Sequence, residues 1–213
     1  MLENYLTVKK DGVYEILIQK SRFIGYVTRA ETEEEAQDFI QSIKKKHHDA
    51  THNCSAYMIG ENNHIQKAND DGEPSGTAGV PMLEVLKKMN LKDTAVVVTR
   101  YFGGVKLGAG GLIRAYGNAT SEVIREVGVV KRQRMQGFDI TVDYTLLGKI
   151  ENELRNSDYM LDNIEYVEHV VCSVFVQVDQ VEAFVEWMTN STNGQASIEE
   201  TKQAYIEIDV PSP

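Results

Sequence analysis

Fifty residues, from Asp70 to Ala119, constrain the fold of this chain more than any other stretch. They hold an acidic turn, a short helical segment, an apolar run, a glycine-rich cationic segment and a long amphipathic segment. The apolar run comprises Val96, Val97 and Val98. Because it is continuous and does not alternate with polar residues, it predicts a strand that is covered on both faces.

A glycine-rich segment follows this strand, with Gly103, Gly104, Gly108, Gly110 and Gly111. Glycine permits positive φ and close approach of the backbone, so N–H groups in such a loop can face a bound ligand. Apolar residues then recur with the spacing of one helical face. They are Leu112, Tyr116, Ala119, Val123 and Val127. The sequence therefore predicts a loop that opens directly into a helix.

The predicted start of this helix has the features of an anion site. A helix N-terminus offers free N–H groups and the positive end of the helix dipole. Arg100, Lys106 and Arg114 add formal charge, and no acidic residue occurs from Thr94 to Ser121, although the whole chain has a net charge of −10. We therefore expect a phosphate-type anion or another negatively charged group to bind here.

The glycine spacing matches neither of the common nucleotide-binding loops. Gly108 is followed by Ala109 and Gly110, where a P-loop requires Lys and then Ser or Thr. The segment also lacks the spacing of a dinucleotide-binding turn and an acid placed for a ribose. A tight strand-to-helix turn without a ligand remains the alternative.

Motifs in this stretch, together with HNCSAY at 52–57, carry a family resemblance. They read DDGEPSGTAG at 70–79, VVVTRYFGG at 96–104 and KLGAGGLIRAY at 106–116. With them the chain closely resembles the IMPACT family over its whole length. The resemblance implies an α+β fold. A module similar to ribosomal protein S5 domain 2 is expected at 1–134, and a ferredoxin-like domain similar to the last domain of the translocase elongation factor at 135–213.

The same resemblance implies translation-linked regulation rather than a named reaction. Eukaryotic relatives restrain a starvation-responsive kinase of a translation initiation factor by competing for its ribosome-associated activator. The implied partners are the ribosome, RNA or a translation-associated protein, and no cofactor or catalytic residue is assigned. The expected binding cleft comprises His52, Asn53, Asp70, Asp71, Gly72, Glu73, Pro74, Gly76, Thr77, Arg100, Tyr101, Phe102, Gly103, Gly104, Lys106, Leu107, Gly108, Gly110, Gly111, Arg114 and Tyr116.

The acidic turn permits two interpretations. Asp70, Asp71 and Glu73 could hold Mg²⁺ against a phosphate, or one of them could act as a base. Alternatively they build a turn, in which Asp71 takes positive φ and Ser75 or Thr77 caps the next helix. Arg100 could pair with Asp70 or Asp71.

A second group of chemically active residues precedes this turn. His47, His48, His52 and Cys54 are zinc ligand types, but they lack a paired CxxC or HExxH spacing. His52 and Cys54 would share one face of a strand, yet no orienting Asn or Asp can be identified for a nucleophilic pair. We therefore expect no metal site, and a buried thiol at Cys54.

Local patterns predict the remaining elements of the first module. Strands are expected at Val13–Ile18, Phe23–Val27, Ser55–Ile59 and His64–Ala68. Thr32 and Glu35 have the spacing of a capping box for a helix that ends near His47, and Pro81 fits the first turn of a short helix. The basic KRQR segment within 131–136 is expected to mark the domain boundary.

The second module shows the order βαββαβ, which is typical of ferredoxin-like domains. Its strands are expected near Phe138–Tyr144, Ile164–Tyr166, Val170–Val178 and Ala204–Ile208, with helices near Leu146–Leu154 and Val181–Met188. Its outer sheet face is polar and lacks the aromatic pattern of an RNA-recognition motif. Residues 136–213 have a net charge of −12, against +2 for residues 1–135, so any nucleic acid should contact the first module.

Composition places the chain among soluble globular proteins, with 42% hydrophobic and 25% charged residues. The N-terminus lacks the pattern of a signal peptide, and no apolar run is long enough to cross a membrane. Two cysteines, Cys54 and Cys172, suggest buried thiols rather than a disulfide framework. We expect a cytoplasmic protein with no membrane contact.

The favoured function is therefore a non-enzymatic, translation-linked regulator that binds through the cationic glycine-rich cleft. The alternative is an ATP-dependent small-molecule kinase, because some such kinases share the S5-like fold and cradle phosphate at a helix N-terminus. A hydrolase using the acidic turn is the third possibility, but it lacks an evident nucleophile or metal cluster.

Overall fold

Ten strands and five α-helices account for most of residues 2–210, the part of the chain that a computed structural model describes. In chain order they are β1 Asn4–Val8, β2 Gly12–Ile18, β3 Ser21–Arg29, α1 Glu33–Lys46, β4 His52–Ile59, β5 Ile65–Asn69, α2 Gly79–Lys88, β6 Thr94–Tyr101, α3 Gly108–Val127, β7 Val129–Val142, α4 Tyr144–Arg155, β8 Met160–Tyr166, β9 Val170–Gln177, α5 Val181–Ser191 and β10 Ser197–Asp209. A short 3-10 turn, Val178–Gln180, precedes α5. The α+β class is confirmed.

The valine run lies in the central strand of a five-stranded sheet in the order β2-β3-β6-β4-β5. Neighbouring strands pair antiparallel, with Val97 opposite Tyr26 on β3 and Ser55 on β4. Val96, Val97 and Val98 are fully buried. The prediction of a strand covered on both faces is therefore confirmed.

Helices cover both faces of this sheet. Val96 and Val98 pack in a core with residues of α2 and α3, whereas Val97 packs in a second core with residues of α1. The five apolar residues expected on one face of α3 are all buried in the first core. Because successive side chains of β6 point to opposite faces of the sheet, this one strand contributes residues to both cores.

Local signals placed the first two helices correctly. Thr32 caps α1, because its hydroxyl accepts the Glu35 N–H at 3.2 Å while the Glu35 carboxylate accepts the Glu31 N–H at 2.8 Å. The helix ends at His47, as expected. Pro81 lies in the first turn of α2, where its missing N–H leaves no helical bond unmade.

The second sheet has five strands: β1, β7, β9 and β8 are neighbours in that order, and β10 also pairs with β7. Helices α4 and α5 complete the βαββαβ order and bury Ile150, Leu154, Phe184 and Met188 in one core. This arrangement confirms the ferredoxin-like module. Among residues 2–210, no helix combines the length and the apolar character needed to cross a membrane.

Several elements differ from the sequence expectation. Strand β1 was not predicted, β10 begins at Ser197 instead of near Ala204, and β7 continues through the KRQR segment. The last difference arises because Val130, Gln133 and Met135 are buried, so charged residues on this strand lie between buried ones. The basic segment is therefore part of a strand and not a linker.

The chain divides into two compact units near this strand. The first contains Tyr5–Lys131 with residues 208–210, and the second contains Leu2–Asn4 with Arg132–Glu207. Each unit thus includes a short piece from the opposite chain end. The domain limits 1–134 and 135–213 remain a prediction.

Glycine packing in the first unit can be tested with a matched pair. A Cβ at Gly79 would lie 2.5 Å from the Asn69 backbone nitrogen, whereas a Cβ at Gly117 would meet nothing closer than Val85 at 4.0 Å. Gly79→Ala should lower the free energy of unfolding by about 1–3 kcal/mol. Gly117→Ala should leave it unchanged or raise it by up to about 1 kcal/mol, because alanine favours helix interiors. Urea denaturation measures both free energies of unfolding. Equal changes in the two variants would contradict the close packing at Gly79.

Candidate functional site

The acidic turn between β5 and α2 is held by its own carboxylates. Asp70 accepts the N–H groups of Gly76, Ala78 and Gly79 at 2.8–3.0 Å. Burial alone would raise the pKa of Asp70, but these three donors together lower it below its ordinary value. The Asp70 carboxylate is therefore the hydrogen-bond acceptor for the first N–H groups of α2.

This corrects the expected cap at Ser75 or Thr77. The N-cap position, Ala78, makes no side-chain cap bond, and the Thr77 hydroxyl instead donates to the Pro74 carbonyl at 2.6 Å. The chain reverses before the helix, as expected, because Asp71 and Gly72 adopt φ of 44° and 88°. Gly72 and Pro74 are exposed in this turn.

Asp71 ties the turn to β4 and α1. Its carboxylate accepts the Asn53 N–H at 2.7 Å and the Lys44 ammonium at 2.6 Å. Burial alone would raise the pKa of Asp71. These bonds, of which that from Lys44 contributes most, together lower it below its ordinary value. The Asp71 carbonyl accepts a bond from Nδ1 of His52 at 2.8 Å, so in neutral His52 this nitrogen carries the proton.

A buried ion pair lies beneath the turn. Nη1 of Arg100 donates to Oε1 of Glu73 at 2.7 Å, and both side chains are less than one tenth exposed. The Tyr116 hydroxyl donates to the same oxygen at 2.8 Å. Burial, followed by the neighbouring Cys54 and Glu73, raises the pKa of Tyr116, which stays a donor. Glu73, rather than Asp70 or Asp71, is thus the partner of Arg100.

This ion pair also organises the aromatic surroundings. The Arg100 guanidinium lies 5.3 Å from the ring centroid of Phe23 and 5.4 Å from that of Phe102. Both distances are within the range of cation–π attraction. The Phe23 ring in turn packs edge-on against Tyr116 at 5.3 Å. Strand β6, the acidic turn and α3 therefore meet at one charged cluster.

The cluster gives little support to a nucleophile at Cys54. Burial raises the pKa of the Cys54 thiol to about 12, so the thiolate is scarce at neutral pH. The thiol is committed as a donor to the Asp70 carbonyl at 3.0 Å. Nε2 of His52 lies 3.7 Å from Oε2 of Glu73. Cys54 is a buried core residue, as the sequence suggested.

The histidines do not gather around a common point. His47 bonds to the hydroxyls of Tyr26 and Tyr101 at 2.7 and 2.9 Å, whereas His52 bonds to the acidic turn. Within residues 2–210, no three His, Cys, Asp or Glu side chains are grouped so as to hold a metal ion. The zinc hypothesis gains no support from this geometry.

Tyr101 lies on the sheet face opposite to Arg100, and the side chain of Asn53 lies on that face too, where it bonds to the Thr99 hydroxyl and the His47 carbonyl. Arg100 and Tyr101 are neighbours on β6, so their side chains point to opposite sheet faces. The Tyr101 hydroxyl donates to Asp49 at 3.0 Å and also bonds to His47, on the side of the sheet that α1 covers.

The glycine segment forms a shorter loop than expected. Helix α3 begins at Gly108, so Gly110 and Gly111 lie in its first turn. The sequence predicted a start at Leu112, because the preceding glycines are poor helix formers and give no helical signal. Gly104 and Gly108 adopt φ of 85° and 68°. Gly103 is required for close approach, since a Cβ there would lie 2.1 Å from the Lys20 backbone.

The exposed part of this segment is cationic and apolar. We define the glycine-loop surface as the exposed side chains and backbone from Phe102 to Arg114. Lys106 and Arg114 are exposed, and so are Phe102, Val105 and Ile113 at 47%, 39% and 44%. Leu107 is the N-cap of α3, makes no side-chain cap bond, and no acid lies in the first turn. The first N–H groups of α3 therefore remain available for an anion.

Two residues that contribute to the site, Ser21 and Lys44, were not predicted from the sequence. The Ser21 hydroxyl accepts the Gly103 N–H at 3.1 Å and lies 3.5 Å from Nη2 of Arg100. Lys44, which holds Asp71, occurs in a run of lysines at the end of α1. No local signal marks Ser21, because its role depends on pairing between β3 and β6.

Comparisons with known proteins agree with this architecture. The family profile of the Impact N-terminal domain matches residues 19–124, and that of a domain of unknown function, DUF1949, matches residues 140–195. IMPACT family member YvyE of Bacillus subtilis is 62% identical over 97% of this chain and 95% of that protein. IMPACT family member YigZ of Escherichia coli is 32% identical over 85% and 90%. A crystal structure described as that of a hypothetical protein superposes with a TM-score of 0.61 at 29% identity, covering 95% of this chain and 99% of the other.

A double-mutant cycle tests the buried ion pair. Arg100→Met leaves Glu73 buried without its cation and should lower the free energy of unfolding by about 3–5 kcal/mol. Arg100→Met combined with Glu73→Gln should cost clearly less than the sum of the two single changes, because no buried charge remains. Urea denaturation measures all four proteins. Additive losses would show that the two side chains are not energetically coupled.

Proposed function

The chain belongs to the IMPACT family, and from this premise we propose that it is a translation-linked regulator that acts by binding and catalyses no reaction. In this proposal the glycine-loop surface contacts RNA, with the ribosome as the source of that RNA. The supporting observation is the start of α3, where N–H groups without a side-chain cap adjoin exposed Lys106 and Arg114.

The electrostatics of this surface favour a polyanion. Phosphate groups bind to free N–H groups at helix N-termini and to nearby lysine and arginine side chains. The segment from Thr94 to Ser121 contains no acid to repel them. Arg100, by contrast, is neutralised by Glu73 and buried, so its role is to hold the surface in place.

The exposed apolar side chains suit single-stranded RNA better than a duplex. Unpaired bases stack on aromatic rings, whereas the bases of a duplex are already stacked on each other. Phe102 is 47% exposed beside the two cations, and Val105 and Ile113 extend the apolar area. A translation-associated protein that covers the same apolar residues is the competing outcome of the experiment below.

No observation favours the kinase alternative. Magnesium bound to ATP would require free carboxylates near the loop. Glu73 accepts bonds from Arg100 and Tyr116, Asp70 accepts three backbone N–H groups, and Asp71 accepts Lys44. All three acids of the turn are thus committed to structural bonds.

Charge removal on the glycine-loop surface tests the proposal. Lys106→Ala and Arg114→Ala should each weaken binding to purified ribosomes or a single-stranded RNA oligonucleotide by roughly threefold to tenfold at physiological salt. Each should reduce the slope of log affinity against log salt by about one unit. Fluorescence anisotropy for the oligonucleotide and co-sedimentation for ribosomes provide the measurements.

Arg125→Ala is the matched control. Arg125 is exposed at the other end of α3, where it pairs with Glu122. Its removal changes the net charge equally but should leave RNA affinity and salt slope unchanged. Ribosome binding that survives nuclease treatment would indicate a protein partner. Unchanged affinity in Lys106→Ala and Arg114→Ala, with both proteins folded, would exclude this surface from binding.

A further inference from the structure

Strand β2 forms an open edge of the sheet β2-β3-β6-β4-β5. It pairs with β3 on one side and with no strand of residues 2–210 on the other. Its side chains include exposed Val13, Tyr14 and Leu17, at 52%, 38% and 70%. A regular, apolar edge strand is a template for another strand, and many proteins prevent such pairing with proline, lysine or a bulge. The sequence GVYEILI contains neither proline nor lysine, and its register with β3 is unbroken.

The turn after β2 determines which of its backbone groups face outward. Gln19 and Lys20 adopt φ of 45° and 69°, and Ile18 lies opposite Ser21. These two residues therefore form a hairpin turn, which the Ser21 N–H closes by donating to the Ile18 carbonyl. Hydrogen-bonded pairs alternate along an antiparallel ladder. The even-numbered residues of β2 thus bond to β3.

The odd-numbered residues of β2 direct their backbone N–H and C=O groups away from the sheet. These residues are Val13, Glu15 and Leu17. No hydrogen bond from elsewhere in residues 2–210 reaches these backbone groups. The edge therefore offers three donors and three acceptors in the alternating arrangement that a further antiparallel strand requires.

Two copies of β2 complement each other in one antiparallel register. With a two-fold axis at Glu15, Val13 of each copy lies opposite Leu17 of the other, and Glu15 lies opposite Glu15. This register pairs all three outward-facing residues, and each pair exchanges two N–H···O bonds. Tyr14 of each copy then lies opposite Ile16 of the other, on the opposite sheet face. Aromatic and β-branched side chains in such cross-strand positions stabilise a sheet.

The charge of Glu15 is already neutralised within each copy. Like charges directly opposite each other destabilise an antiparallel pair. The Glu15 carboxylate, however, accepts bonds from Nε and Nη2 of Arg22 at 2.8 and 3.0 Å, and these bonds lower the pKa of Glu15. The Arg22 guanidinium also lies 5.3 Å from the ring centroid of Tyr101. Two neutral ion pairs would therefore meet at the axis, instead of two free carboxylates.

The other edge of the same sheet differs in both length and charge. Strand β5 has five residues, Ile65–Asn69, and includes Lys67. The Lys67 ammonium lies 3.6 Å from the Glu33 carboxylate. A short strand that carries a lysine resists pairing with another chain. Of the two edges, β2 is therefore the one suited to association.

We propose that β2 is a self-association surface, at which two copies of this chain join their sheets into one continuous antiparallel sheet with Glu15 at the two-fold axis. A single strand pair buries little area, so we expect a weak dimer with a dissociation constant of about 10 µM. This surface shares no residue with the glycine-loop surface, and the proposal does not depend on RNA binding.

Sedimentation velocity of the full-length protein over a series of concentrations measures the association. Val13→Lys places an ammonium opposite Leu17 of the other copy and should raise the dissociation constant at least about tenfold. Val167→Lys is the matched control, because Val167 is 59% exposed in the second unit and the change in charge is the same. The control should leave the dissociation constant unchanged. Circular dichroism verifies that both variants are folded.

Cysteine crosslinking tests the register. The Cα atoms of Glu15 in the two copies would lie about 5.5 Å apart, which a disulfide can span. The Leu17 positions would lie about 14 Å apart along the strands, which it cannot. Under mild oxidation, Glu15→Cys should give a covalent dimer on a non-reducing gel, whereas Leu17→Cys should not. Cys54 and Cys172 are buried and do not compete.

Three results would each overturn the proposal. The first is a single monomeric species at concentrations well above the expected dissociation constant, which would leave the edge to an extended segment of another protein. The second is an equal effect of Val13→Lys and Val167→Lys on the dimer. The third is crosslinking through Leu17→Cys that is at least as efficient as through Glu15→Cys.

Discussion

The buried pair of Glu73 and Arg100 is the interaction on which the rest of the site depends. It joins the acidic turn to the end of β6, and the Tyr116 hydroxyl extends the connection to α3. Such a pair adds little to stability compared with well-packed apolar residues, because both charges lose their water. Its value is positional, since neither partner can move without leaving a buried charge.

This arrangement separates two parts of the motif-rich stretch. The acids of the turn and Arg100 form the inner part, where each charged group already has a protein partner. Lys106 and Arg114 form the outer part on the glycine-loop surface, which is exposed. Binding of an anion is therefore better matched to the outer part, whereas the inner part fixes the geometry of the loop that carries it.

Local patterns predicted the elements whose cause is local. The valine run of β6, the apolar face of α3 and the Thr32 cap of α1 each depend on residues close in sequence, so spacing alone located them. The strand continuing through KRQR was missed because burial of Gln133 depends on distant partners. The start of α3 was placed four residues late because three of its first four residues are glycines.

The residues of the site were predicted from their motifs, but their contacts were not, because those contacts depend on residues distant in sequence. The family motifs named Glu73, Arg100 and Tyr116, and the structure brings these three together. The choice of Glu73 as the partner of Arg100 could not be read from the sequence, since it depends on how the turn folds over β6. Tyr101 could have been separated from Arg100 in advance, because adjacent strand residues face opposite ways.

Photo-crosslinking from Phe102 tests whether the glycine-loop surface is the contact surface. A benzophenone amino acid replaces Phe102, and a matched protein carries it at Tyr166, which is 60% exposed in the second unit. After irradiation in growing cells, sequencing of attached RNA and mass spectrometry of attached protein identify the partner. We predict ribosomal RNA attached at position 102 and little or none at position 166. Crosslinks that form only at position 166, or equally at both positions, would contradict this prediction.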